Sequence, residues 1–117
     1  MKLTEVAFGA SRPVDGYGPG FFRVAGVAHH GPVAVLPGGA VAWGGYDDTA
    51  TLLAHAATLD VLFVGTGAEI AHVPPAFRQA LEAAGVGVEV MNSPAAARTY
   101  NVCLSEGRRI AAALLPV

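Results

Sequence analysis

The sequence predicts one three-layer α/β domain with a mixed central β-sheet, in which N-terminal strands precede βαβα units. Three observations carry that expectation. The chain has 117 residues, 53% hydrophobic and only 14% charged, enough to fill one core without disulfides or metal. Its first half alternates short β-favouring runs with glycine and proline. Its second half alternates continuous apolar runs with segments of helical periodicity, the pattern of strands covered on both faces. No linker, internal repeat or low-complexity segment divides residues 1–117, so one domain is expected throughout.

In the first half, Phe21-Phe22-Arg23-Val24 is a strand candidate. It is preceded by a glycine-rich loop at Gly16, Gly18, Pro19 and Gly20 and closed by Gly26. Val33 to Leu36 is a second apolar run, bounded by Gly31-Pro32 and by Pro37-Gly38-Gly39. Val41 to Trp43 is a further short extended piece that Gly44-Gly45 ends.

In the second half, Asp47 and Asp48 are placed to cap a helix running through Leu52, Leu53, Ala56 and Ala57. Val61 to Val64 is a buried strand. Pro74-Pro75 opens a helix whose Phe77, Ala80, Leu81 and Ala84 share one face, with Gly85 positioned to end it. Val86 to Val90 is the next strand. Ser93 and Pro94 form an N-cap and N1 pair for a third helix, stopped by Gly107. Ile110 to Leu115 closes the chain as a buried strand.

Several function classes are disfavoured on the same page. A net charge of −2 gives no basic footprint for nucleic acid or an anionic membrane. The single cysteine, Cys103, allows no internal disulfide or multi-thiolate site, fits a reducing compartment, and reads as an inert core thiol. Met1 to Glu5 turns acidic before an apolar signal region could form, which predicts a cytoplasmic protein. The Ile110–Leu115 run falls far short of the ~20 residues a membrane-spanning helix needs, so direct insertion is not expected. His29, His30, His55 and His72 show no metal-ligand spacing, and Ser11, Ser93 and Ser105 lack a nucleophile elbow. The sequence therefore assembles no catalytic set and calls for no cofactor or metal.

Two places could carry chemistry. Phe63-Val64-Gly65-Thr66-Gly67 leaves a buried strand through two glycines, where a helix backbone or a ligand can approach closely. It lacks the spacing of a phosphate loop. The third helix carries Arg98-Thr99-Tyr100-Asn101. Ala96, Ala97, Tyr100, Cys103 and Leu104 fall on its apolar face, and Arg98, Asn101 and Ser105 on a polar line. A cation near a helix N-terminus is unfavourable, so Arg98 either pairs with a carboxylate or faces an anion. The pair is favoured, with Asp15 or Glu69 as partner, holding the Asp15-Gly16-Tyr17-Gly18 loop against the helix. Trp43 and Tyr46, set among glycines, serve either as an exposed aromatic contact or as an anchor beneath the loop.

Three stretches in order along the chain resemble a small-domain family that includes the mitochondrial complex I assembly factor 3 proteins and the adipogenesis-associated proteins. They are Val14-Asp15-Gly16-Tyr17-Gly18-Pro19-Gly20-Phe21-Phe22-Arg23-Val24, then Val35-Leu36-Pro37 leading to Trp43, and Phe63 to Gly67. The most specific block runs from Val86 to Met91, through Ala95-Ala96-Ala97-Arg98-Thr99-Tyr100-Asn101, to Glu106-Gly107-Arg108-Arg109 and Ala111 to Leu114. The chain departs from the family pattern at Asn92-Ser93, where Asp-Thr is usual, and at Ala97, where cysteine is usual. The resemblance implies the three-layer fold again. It implies no reaction, and it suggests an accessory role in building a membrane complex. Without a mitochondrial presequence, the expectation is a prokaryotic member.

Two functions follow. One is a protein-interaction or assembly module presenting Asp15, Tyr17, Trp43 and the Arg98-Thr99-Tyr100-Asn101 edge to a protein partner, including one at a membrane, with a homo-oligomer left open. The other is a small-molecule or anion-binding module, an enzyme included, at Gly65, Thr66, Gly67 and Arg98.

Overall fold

The computed structural model describes residues 11–117; the Met1–Glu5 stretch read above lies outside them. Among the described residues eight strands form two sheets. The first is an antiparallel meander of β1 (Val14–Gly18), β2 (Phe21–Val24) and β3 (Val27–His30). The second contains β4 (Val33–Leu36), β5 (Gly39–Ala42), β6 (Val61–Gly65), β7 (Gly87–Met91) and β8 (Ile110–Leu114), in the order β5-β4-β8-β6-β7. β6 pairs in parallel with β7 and β8, while β4 is antiparallel to β5 and β8, so the sheet is mixed. The helices are α1 (Ala50–Leu53), α2 (Pro75–Ala83) and α3 (Ser93–Ser105).

The layers follow from strand alternation. Val33, Val35, Phe63, Ala112 and Leu114 point to one face, where they meet α3 and the inner face of the small sheet through Val14, Phe22 and Val24. Ala34, Leu36, Leu62, Val64, Ala111 and Ala113 point to the other, against Leu52, Phe77 and Leu81. Every residue of β4 and β8 is buried, which is why these strands read as unbroken apolar runs. The alanines of β8 keep both faces shallow, so α3 packs closely on one of them. None of the helices among the described residues is long and apolar enough to cross a membrane.

Four local expectations need correction. Val14–Gly18 is a strand and not a loop; a bulge at Asp15 interrupts its register with β2. His29 and His30 lie on β3, a strand that the sequence pattern does not predict. The helix expected from Asp47 onward is broken into 3-10 turns at Gly45–Asp47 and Ala56–Thr58 around the single α-turn of α1. The N-cap of α1 is Thr49, not Asp47 or Asp48; Asp48, one residue earlier, accepts the Thr51 N–H at 3.2 Å, the Thr51 hydroxyl at 2.7 Å and the Gly44 N–H at 2.9 Å. Those hydrogen bonds, the Thr51 hydroxyl foremost, hold its carboxyl below the usual aspartate range. Finally, the N-cap of α3 is Asn92, whose Oδ1 accepts the Ala95 N–H at 2.8 Å; Ser93 is the first helical residue.

Candidate functional site

The Arg98-Thr99-Tyr100-Asn101 block divides by direction. Tyr100 is fully buried beneath β1, and its hydroxyl donates to the Arg12 carbonyl at 3.0 Å. Burial pushes the phenol well above the ordinary tyrosine range. Asn101 reaches the same segment: its Oδ1 accepts the Val14 N–H and its Nδ2 donates to the Val14 carbonyl, each at 2.8 Å. Thr99 is half-buried, and its hydroxyl lies 3.5 Å from the Met91 sulfur. Arg98 is exposed.

Arg98 does not form the expected pair. The ion pairs among the described residues are Arg78–Glu82 and Arg109–Asp60, and neither Asp15 nor Glu69 meets Arg98. Asp15 instead accepts the Gly26 N–H at 2.7 Å and so braces the β2–β3 turn. The physical reason lies in its place along the helix. With Asn92 as N-cap, Arg98 lies beyond the first turn of α3, where the helix dipole has faded and no counter-charge is required.

Gly65, Thr66 and Gly67 form a closed junction at the carboxyl end of β6. A Cβ at Gly65 would come within 2.6 Å of both Cα and Oγ of Ser93. Ser93, fully buried, donates from Oγ to the Leu115 carbonyl at 2.5 Å and accepts the Gly67 N–H at 2.8 Å. Its own N–H donates to the Gly67 carbonyl at 2.7 Å. Gly65 is therefore there for close backbone packing, and Gly67 for a backbone φ of +104° that other residues rarely adopt. The anion reading at this point loses its donors: Pro94 has no N–H, and the N–H groups of Ser93, Ala95 and Ala96 go to Gly67 O, Asn92 Oδ1 and Asn92 O.

Trp43 is an anchor beneath the loop. It is 3% exposed, donates from Nε1 to the Asp48 carbonyl at 2.9 Å, and packs edge-on against Tyr46. Tyr17, by contrast, is 49% exposed and lies against Phe22. Sequence reasoning missed Val102, one turn beyond Arg98 and 57% exposed on the outer face of α3. An apolar residue on the polar line of the helical wheel was the available signal. Cys103 is buried, as expected of a core thiol. Among the described residues no group of three or more His, Cys, Asp or Glu could hold a metal ion.

Comparison with known proteins places this geometry. Residues 14–115 match the family described as "Protein of unknown function (DUF498/DUF598)". An uncharacterized protein of Rhodobacter capsulatus is 51% identical over 117 residues, covering all of this chain and 94% of that one. The mouse NADH dehydrogenase [ubiquinone] 1 alpha subcomplex assembly factor 3 is 29% identical over 99% of this chain, which spans 66% of that longer protein. Among solved structures, a Bartonella henselae protein described as an outer membrane protein superposes with a TM-score of 0.82 at 33% identity. That match covers 92% of this chain and 97% of the other.

Proposed function

Because the chain belongs to the DUF498/DUF598 family, whose relatives include complex I assembly factors, we propose that it is a protein-interaction module serving assembly of a larger complex. The observation that carries this reading is the division of the Arg98–Asn101 block. Tyr100 and Asn101 lock β1 onto α3, and the same two elements offer Tyr17, Arg98 and Val102 to solvent. An exposed valine one turn from an arginine, with an exposed tyrosine on the strand clasped to the same helix, suits a protein contact, because little ordering entropy is lost on binding. The working location in this reading is the cytoplasm. Attachment to a membrane complex then passes through the partner.

Photo-cross-linking in the cells that make the protein tests this. A benzoylphenylalanine at Tyr17 or Val102 is expected to give one discrete cross-linked product, whose mass tells a second copy from another protein. The same group at Glu82 on α2 gives none, and Arg98→Glu weakens the product at Val102. Equal products at all three positions, or none at any, would remove the interaction surface.

A further inference from the structure

We propose that the pocket between the β6–α2 loop and β7 binds a small organic carboxylate carried on an apolar stem. This site shares none of the side chains of the β1–α3 surface and stands independently of the assembly reading. The pocket has a volume of about 340 Å³ and is lined by Ile70, Ala71, His72, Val73, Arg78 and Val90. That size lies at the lower end of small-molecule sites, and the lining has their usual make-up, an apolar wall with a few polar groups.

The polar group is held in place. Arg78 donates from Nη1 to the Val88 carbonyl on the outer edge of β7 at 3.1 Å. The same nitrogen lies 3.4 Å from Glu82, and both side chains of that pair are well exposed, at 39% and 49%. An exposed pair at this distance neutralises little of the guanidinium charge, and arginine preceding glutamate is the weaker order along a helix. Among the described residues, Nε and Nη2 of Arg78 have no protein acceptor. Two parallel N–H donors on one planar group fit a carboxylate.

The apolar wall is also preformed. Thr66 donates its N–H to the Met91 carbonyl at 2.9 Å. Its hydroxyl donates to the Glu69 carbonyl at 2.7 Å and accepts the Ala71 N–H at 3.0 Å, which ties the loop into a closed turn. Pro74 and Pro75 stiffen its far end. Ile70 is 66% exposed at the rim, a large apolar surface that an alkyl or aryl stem would cover. The lining therefore asks for both parts of the ligand. A bare anion leaves the apolar wall wet, and a neutral stem leaves the guanidinium unused.

Amide chemical-shift titration of the intact chain with hexanoate tests the assignment, with hexanol and inorganic phosphate as controls. The expected result is saturable binding of hexanoate that shifts Ala71, His72, Val73, Arg78 and Val90, at least tenfold tighter than either control. Arg78→Gln is expected to weaken hexanoate by tenfold or more while leaving hexanol unchanged. Ile70→Ser, at an exposed position that the fold does not need, weakens hexanoate several-fold. Arg98→Gln has no effect. Equal binding of hexanol and hexanoate, shifts elsewhere, or no saturation would overturn the proposal. So would an acetylated dileucine peptide with a free carboxylate binding more tightly through the same residues, because the natural carboxylate would then belong to a protein chain.

Discussion

Asn101 holds Val14 by both of its backbone groups, accepting the N–H and donating to the carbonyl at 2.8 Å across 87 positions of sequence. An amide side chain that pairs with a backbone in this way replaces a neighbouring strand. Both backbone groups of Val14 are satisfied by α3 although no strand of the large sheet pairs with β1. Hydrogen exchange reads the clasp directly. The Val14 amide is expected to exchange slowly in the native chain and rapidly in Asn101→Ala, while the amides of Ala111 to Ala113 stay protected in both.

Asp15 is expected to act without Arg98. Asp15→Ala removes the acceptor for the Gly26 N–H and lowers stability by about 0.5–1.5 kcal/mol. In a double-mutant cycle with Arg98→Ala the two effects add to within about 0.5 kcal/mol, because the side chains share no contact. A coupling energy well above that in urea melts would restore the ion pair.

Gly65→Ala is expected to be severe. Its Cβ meets Ser93 Cα at 2.6 Å, and backbone cannot yield as a flexible side chain can. A loss of about 3 kcal/mol, the upper part of the usual overpacking range, is expected in the same melts. Ser93→Ala, which strips the buried Gly67 N–H and Leu115 carbonyl of their partner, is expected to cost about 2 kcal/mol.

The β2–β3 turn offers the opposite sign. Ala25 has φ of +51° and Gly26 +79°, so both central residues of a two-residue hairpin turn are left-handed. Alanine is strained there, and asparagine tolerates the conformation. Ala25→Asn is expected to raise stability by about 1 kcal/mol, seen as a higher urea midpoint with an unchanged slope.

Tyr100 sets an alkaline limit. Its folded-state pKa is raised by burial, so above the ordinary tyrosine value of about 10 the unfolded chain loses a proton that the folded one keeps. Stability is full below that pH and falls as pH rises through it toward the folded value. Tyr100→Phe is expected to flatten this alkaline fall. At neutral pH it costs about 1 kcal/mol for the lost hydrogen bond to the Arg12 carbonyl.

The large sheet and its two longer helices, α2 and α3, were legible because their burial is periodic or continuous. β4, β6 and β8 bury both faces, and Phe77 and Leu81 on α2 and Tyr100 and Leu104 on α3 keep a helical stripe. The small sheet was obscured by its residues. β1 reads as a glycine loop because Gly16 and Gly18 alternate with Asp15 and Tyr17, and β3 exposes Val27, Ala28 and His30. At Arg98 the dipole argument does not apply, because it holds only in the first turn and Arg98 is the sixth residue of α3. The pocket beside β7 was hidden for another reason. Ile70, Arg78 and Val90 come from a loop, a helix and an edge strand, and no spacing in sequence joins them.

Urea denaturation of Asn101→Ala beside Arg98→Ala tests most directly the division of the Arg98–Asn101 block into a clasp and an outward-facing charge. Removing Asn101 leaves two part-buried backbone groups of Val14 unpaired, and a loss of about 2–3 kcal/mol is expected. Removing Arg98, exposed and outside every ion pair among the described residues, is expected to change stability by less than about 0.5 kcal/mol. A large loss for Arg98→Ala with little for Asn101→Ala would contradict the division.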